Sequence, residues 1–160
     1  MPNQPTVQED PFSCPLEARK KAMDFLARRE YGQTELIRKL ADKEFARGIA
    51  EEAVLKLTGE GLQSDQRFAE SFVQSRLNQG KGPVRIRLDL GQRGINDAAI
   101  EMALEALDAD WYELAREIRY KKFGRIKPAD FREKAKQMRF LQYRGFEPDH
   151  IQVAVGAGDD

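Results

Sequence analysis

Cysteine and histidine each occur once in the 160 residues, as Cys14 and His150. A single cysteine excludes an intramolecular disulfide framework, and one of each falls short of the four ligands that Cys/His structural zinc sites require. Long apolar runs are missing as well: nothing approaches the roughly 18 consecutive apolar residues of a membrane span, so none is expected. The opening stretch carries Glu9 and Asp10 where a secretory leader would be basic and then apolar, so no leader is expected and the default compartment is a reducing cytoplasm. Net charge is also absent, with 27 Lys and Arg against 27 Asp and Glu. A free-standing nucleic-acid-binding domain usually carries a basic excess, and this balance counts against one.

What the chain does have is charge in blocks. Basic and acidic side chains number 10 and 12 in residues 1–66, 6 and 2 in 67–95, 0 and 6 in 96–115, 11 and 3 in 116–144, and 0 and 4 in 145–160. Two basic blocks around an acidic one suit a polyanion or an acidic protein face. Pairing of the blocks with one another inside the fold is the competing reading, and both stay open. With 41% hydrophobic residues, 9 Phe, 4 Tyr and 1 Trp, the chain can build cores and need not be disordered.

Residues 1–14, with Pro2, Pro5 and Pro11 among Asn, Gln and Thr, read as a disordered tail. Helical punctuation follows. Pro15 suits a first helical position, and Leu16, Met23, Leu26 and Ala27 form the expected apolar stripe of a first helix. Thr34 is the expected N-cap of a second, with Leu36, Ile37 and Leu40; a third holds Ala53, Val54 and Leu57. Ser64-Asp65 opens a longer helix with Phe68, Phe72, Val73 and Leu77, Pro83 starts the next, and Asn96 caps one with Ile100, Ala103, Leu104 and Leu107. Further helices are expected from Asp110 to Lys122, from Pro128 to before Gly145, and from Pro148 through Val155.

Residues 84–90 argue for a strand, since Val84, Ile86, Leu88 and Leu90 alternate with polar residues. A repeat decides otherwise. Arg-Gly-apolar occurs at Arg47-Gly48-Ile49, Arg93-Gly94-Ile95 and Arg144-Gly145-Phe146, and Val54, Ile100 and Ile151 each follow the glycine by six positions. Leu90 and Leu141 precede the last two glycines by four, whereas Leu40 precedes Gly48 by eight, so the first copy is expected to have a longer turn. The segment before the third copy is strongly helical in propensity, and its counterpart at 83–92 should be helical too. The fold is therefore all-α: three tandem three-helix repeats, at 15–62, 63–107 and 108–156, with an acidic end at 157–160. Each copy buries little alone, so neighbours should support each other as in a solenoid.

Catalytic chemistry is poorly represented. His150 beside Asp149 has no nucleophile placed by motif and reads as an exposed helix-end residue. Cys14 lies at a tail–helix junction. Gly80-Lys81-Gly82 lacks the full phosphate-loop pattern and has no strand before it. No metal or cofactor site is expected, and the chain does not read as an enzyme.

The basic residues are more informative. Arg76, Lys81, Arg85, Arg87 and Arg93 cluster at the junction of the long and short helices of the second copy, where Gly80, Gly82 and Pro83 are expected to hold a loop open. They form a candidate contact for phosphates or acidic side chains. In the third copy, Trp111, Leu114 and Ile118 mark the expected core face, and Tyr112, Arg116, Arg119 and Phe123 an opposite stripe, with Lys122 completing the candidate set. That stripe either docks on a partner or packs against the neighbouring copy with its arginines flanking the joint, and the second reading is slightly favoured.

Several of these segments together resemble the RecX family, regulators of the RecA recombinase. They are Ser64-Asp65-Gln66-Arg67-Phe68-Ala69, Gly82-Pro83 with Arg85-Ile86, and Leu90 to Ile95. Thr34-Glu35-Leu36-Ile37-Arg38-Lys39-Leu40 and Phe140-Leu141-Gln142-Tyr143-Arg144-Gly145-Phe146 are similar to the family's first and third copies, so the likeness spans 16–155. It implies an elongated, curved helical array that acts as a monomer, with no catalytic residue and no cofactor. It further implies binding along the RecA filament on single-stranded DNA, restraining strand exchange, ATP hydrolysis and co-protease activity, and so regulating DNA repair and the SOS response. Direct contact with single-stranded DNA is left open. A helix-turn-helix DNA binder and a helical scaffold for another acidic protein are the alternatives.

Overall fold

The structure, a computed structural model, describes residues 10–156. Among these it has nine α-helices and no strand. They are α1 (Pro15–Leu26), α2 (Gln33–Asp42), α3 (Arg47–Gly59), α4 (Asp65–Asn78), α5 (Pro83–Gln92), α6 (Asp97–Leu107), α7 (Trp111–Phe123), α8 (Phe131–Tyr143) and α9 (Pro148–Val155). The alternating stretch lies in α5: Ile86 and Leu90, four apart, are buried, and Val84 and Leu88 are exposed. The described chain forms two compact units that divide within α4, after Phe68.

In the first unit, α1–α3 close around Ala22, Phe25, Tyr31, Leu36, Leu40, Ala50, Val54 and Leu57. The face that α1 buries is Ala18, Ala22 and Phe25, not the expected stripe; Leu16 is 70% exposed. The small alanines let α3 approach closely, which a count of large apolar residues overlooks. Nor does Thr34 cap α2. Gly32 holds the cap position, and the first helical N–H, that of Gln33, donates to Asp65 Oδ1 at 2.7 Å. Gln63, fully buried, donates to the Tyr31 carbonyl and to Asp65 Oδ1, both at 3.0 Å, and accepts from Thr58 Oγ1 at 2.7 Å. Residues 10–14, assigned to the tail, instead belong to this unit: Asp10 caps a 3₁₀ turn at Pro11–Ser13, and Phe12 packs edge-on against Phe45. The rest of that tail, and the acidic end at 157–160, lie outside the described residues.

In the second unit, α7–α9 bury Ala115, Ile118, Leu141, Phe146, Ile151, Ala154 and Val155. Asn96, Asp110 and Asp130 cap α6, α7 and α8 through their side chains, so α8 starts three residues after the expected Pro128. Backbone meets backbone where α5 begins and α8 ends. The Gly82 N–H donates to the Arg144 carbonyl and the Val84 N–H to the Gly145 carbonyl, each at 2.9 Å. A Cβ on Gly82 would overlap the Gly145 carbonyl oxygen, and one on Gly80 would overlap Ile118. The segment 80–83 is thus a packed joint and not the open, projecting loop that its glycines suggested.

The repeat has one turn in three versions. The Phe45, Ile95 and Phe146 N–H groups donate to the Leu40, Leu90 and Leu141 carbonyls at 3.1, 3.1 and 3.2 Å, and all three leucines are fully buried. This is a Schellman-type helix end with its apolar contact. The left-handed residue before each donor is Gly94 at φ +83°, Gly145 at φ +96° and, in the first copy, Glu44 at φ +71°. Glu44, not Gly48, is the counterpart of the repeat glycines, and Leu40 precedes it by four like the others. The expected longer turn does not exist.

Candidate partner-binding surface

The sequence-chosen cations separate into three groups. Arg76, Lys81 and Arg93 come together at the end of α4. The Arg76 guanidinium carbon lies 4.3 Å from the centre of the Phe72 ring and that of Arg93 lies 5.1 Å from it, so one aromatic ring carries two cations. The Lys81 backbone N–H donates to the Arg76 carbonyl at 3.0 Å, which fixes the main chain of that lysine at the end of α4. Arg76 Nη1 also reaches Gln79 Oε1 at 3.4 Å.

The same neighbourhood continues onto the third bundle. Arg144 Nη1 donates to the Gln79 carbonyl at 3.1 Å, and its guanidinium carbon lies 5.6 Å from the Phe140 ring centre. Lys122 stands over that ring too, at 5.8 Å, while Phe123 meets it edge-on at 5.3 Å. Arg93, Phe72, Arg76, Gln79, Arg144, Phe140 and Lys122 thus form a ladder in which aromatic rings hold cations apart. Arg76, Lys81, Lys122 and Arg144 make no ion pair with a described residue. Three cations at helix ends, Arg76, Lys122 and Arg144, and Lys81 in the α4–α5 connection suit phosphates or carboxylates, and guanidinium forks suit either bidentately.

A second group serves the fold. Arg119, expected on the outer stripe of α7, is only 4% exposed. Its Nε donates to Gln137 at 2.9 Å, its Nη1 to the Gly124 carbonyl at 3.2 Å and its Nη2 to the Ile126 carbonyl at 2.7 Å. It therefore ties down the α7–α8 connection and is withdrawn from any partner. Arg87 pairs with Glu101 at 2.7 Å and with Glu147 at 3.1 Å, linking α5 to α6 and to the start of α9. The hydrogen bond to Glu101 is the main reason its guanidinium is held more firmly protonated than usual, against the opposing effect of burial.

The third group is locally paired on the surface: Arg85 with Asp89 at 3.3 Å and Arg116 with Glu113 at 3.5 Å. Such exposed pairs within a helix turn are weak, so both remain open to exchange for a partner's carboxylate.

The sequence-based candidate set does not include Arg144, although that residue stands in the third Arg-Gly motif. His150, expected to be exposed, is buried, packs edge-on against Tyr112 at 4.7 Å, and accepts the Glu147 N–H on Nδ1 at 3.2 Å. His150 caps α9 from within. Cys14 is half-buried at the N-cap of α1. Among the described residues no cluster of three or more His, Cys, Asp or Glu could hold a metal, and no helix is long and apolar enough to cross a membrane.

Comparison with known proteins agrees with this architecture copy by copy. Family models described as the first, second and third three-helix domains of RecX match residues 18–57, 64–104 and 108–155. The chain is 48% identical to the regulatory protein RecX of Pseudomonas fluorescens over 89% of this chain and 92% of that one. It is 44% identical to the protein of that name from Halorhodospira halophila over 89% and 88%. A crystal structure of RecX from Lactobacillus salivarius superposes with a TM-score of 0.74 at 25% identity, covering 91% of this chain and 96% of that one. Another, of a regulatory protein RecX, gives 0.75 at 24% identity over 89% and 71%. With all three domains matched in order and such identity over most of its length, this chain belongs to the RecX family.

Proposed function

We propose that the chain is a non-enzymatic regulator that binds the RecA recombinase filament on single-stranded DNA and restrains its strand exchange, ATP hydrolysis and co-protease activity, acting in the cytoplasm as a monomer. Regulation of DNA repair and of the SOS response would follow from that. The observation that carries the reading, beside the regulatory name of its relatives, is the ladder of Arg93, Arg76, Arg144 and Lys122 on Phe72 and Phe140. A filament of protein on DNA offers carboxylates and phosphates along one path, and a rigid row of cations held apart by rings is suited to such a path. The overall charge balance fits as well. Attraction is confined to basic faces such as the ladder and is offset by acidic stretches elsewhere, so the protein is not drawn to every polyanion.

The test is the ATPase of RecA filaments on single-stranded DNA, with wild-type protein and with the Arg76→Ala, Arg144→Ala double variant. Wild type should inhibit and the double variant should need several-fold more protein. If both arginines touch phosphates, the log–log salt slope of filament binding should flatten by about 1.4, at roughly 0.7 per single-stranded phosphate. Weaker binding with an unchanged slope would assign the contacts to RecA carboxylates instead. No inhibition by the wild type would refute the reading.

A further inference from the structure

The outer side of α8 carries features that the ladder does not use. Phe131, Ala135, Met138 and Gln142 follow i, i+4, i+7 and i+11, and so form one stripe. Phe131 is 85% exposed, a ring that the monomer leaves almost wholly in water. Two adjoining cavities run beside the stripe. One of about 300 Å³ is floored by Val84, Met138, Phe146 and Ile151, and the other, of about 450 Å³, runs past Phe131, Lys134, Ala135 and Arg139. Both include Met138, Gln142 and Gln152, so they make one groove between α8 and α9.

The rim of this groove is basic. Lys134 and Arg139 line it, and Arg132 and Lys136 flank the stripe one position over. None of the four makes an ion pair with a described residue. An apolar floor under a rim of one sign selects an amphipathic partner, with apolar anchors for the floor and carboxylates for the rim. We infer that the α8–α9 groove is a docking site for an acidic peptide segment of a protein partner, anchored by apolar side chains at helical spacing.

Charge complementarity excludes the obvious rivals. A second copy meeting the groove face to face would bring the same basic rim against this one, and a second copy offering its acidic α6 instead would appear as self-association in sedimentation. Nucleic acid would use the cations and could stack on Phe131, but it leaves the floor of Met138, Phe146 and Ile151 unfilled. The inference uses other residues than the filament reading and is independent of it.

Fluorescence anisotropy on the full chain tests it. The probe is a labelled peptide of about 16 residues with Leu and Phe at i, i+4, i+7 and i+11 and Glu and Ala elsewhere. Binding should saturate and weaken at least about tenfold, the equivalent of 1.4 kcal/mol, in Lys134→Glu, Arg139→Glu and separately in Phe131→Ser. Phe131→Ser is fully surface-placed and should leave the helical circular dichroism unchanged. A peptide of the same composition with scrambled spacing should bind several-fold less. The proposal is overturned if the peptide does not saturate, or if the scrambled peptide binds equally. It is equally overturned if oligo-dT binds more tightly than the peptide and is lost in the same variants, or if sedimentation shows self-association that Phe131→Ser abolishes.

Discussion

Replacing Gly145 by alanine should be among the most damaging single-methyl changes available to this protein. Two independent costs add there. At φ +96° the backbone is left-handed, which costs a residue with a Cβ about 1–2 kcal/mol. The added carbon would also overlap Arg85 Cβ and stand 2.7 Å from the Arg85 backbone nitrogen. Backbone cannot rotate away as a side chain end does, so α5 and α8 must separate. Separation stretches the bonds from Gly82 to Arg144 and from Val84 to Gly145, each worth about 1 kcal/mol net. The expected loss is about 3–4 kcal/mol. At about 2–4 °C per kcal/mol for a chain of this size, melting should fall by roughly 6–16 °C. Urea unfolding followed by circular dichroism measures it. Gly61→Ala is the control, because φ there is +78° and nothing lies within 4 Å of an added Cβ, so only the conformational cost of about 1–2 kcal/mol applies. Equal losses at the two positions would refute the argument from close approach, and a loss under about 1 kcal/mol at Gly145 would refute both parts of it.

The equivalent turn of the first copy predicts the opposite sign: Glu44→Gly removes strain of about 1–2 kcal/mol and adds unfolded-state entropy of about 0.5–1, so the urea midpoint should rise modestly. A fall would show that the Glu44 side chain contributes something its exposed position does not suggest. On α7, Arg116→Glu should change stability by no more than about 0.5 kcal/mol, whereas Arg119→Met should cost about 3 kcal/mol by stranding the Gly124 and Ile126 carbonyls and Gln137. Equal melting temperatures for these two variants would return Arg119 to the surface.

Most of the fold was legible because its signals are local. Pro83 and Pro148 start helices, Asn96 and Asp110 cap them, and Gly94 and Gly145 end them. What failed were inferences needing a partner from elsewhere in the chain. Asp65 replaces Thr34 at the head of α2 from 32 residues away, and no local rule exposes that. Glycine misaligns the first repeat, because the turn requires only a left-handed backbone and a buried leucine four residues earlier. Leu40 satisfies the second condition and Glu44 accepts the strain of the first. Aligning on the leucines gives turn spacings of 50 and 51 residues and makes Gly48 an ordinary first-turn residue of α3.

The candidate surface was half legible, for a different reason. Of the five cations that cluster in sequence, Arg76 and Arg93 share the Phe72 ring with Lys81 close in the chain, since the chain folds back on itself within one bundle. Arg85 and Arg87 are drawn instead to Asp89, Glu101 and Glu147. Clustering in sequence could not tell Arg116 from Arg119, which stand three apart on the same helix with similar neighbours. Their fates diverge because Gln137 on α8 is buried opposite one of them and supplies a polar partner where an apolar residue would have forbidden a cation. Nor could it nominate Arg144, whose position follows from a turn that brings the end of α8 against the start of α5. In both cases the deciding residue is a small or uncharged one, Gln137 or Gly145, that carries no charge of its own and so leaves no mark on a charge map. A cation's availability in this protein is settled by what its neighbours across the bundle can accept, and only then by its own position on the helix.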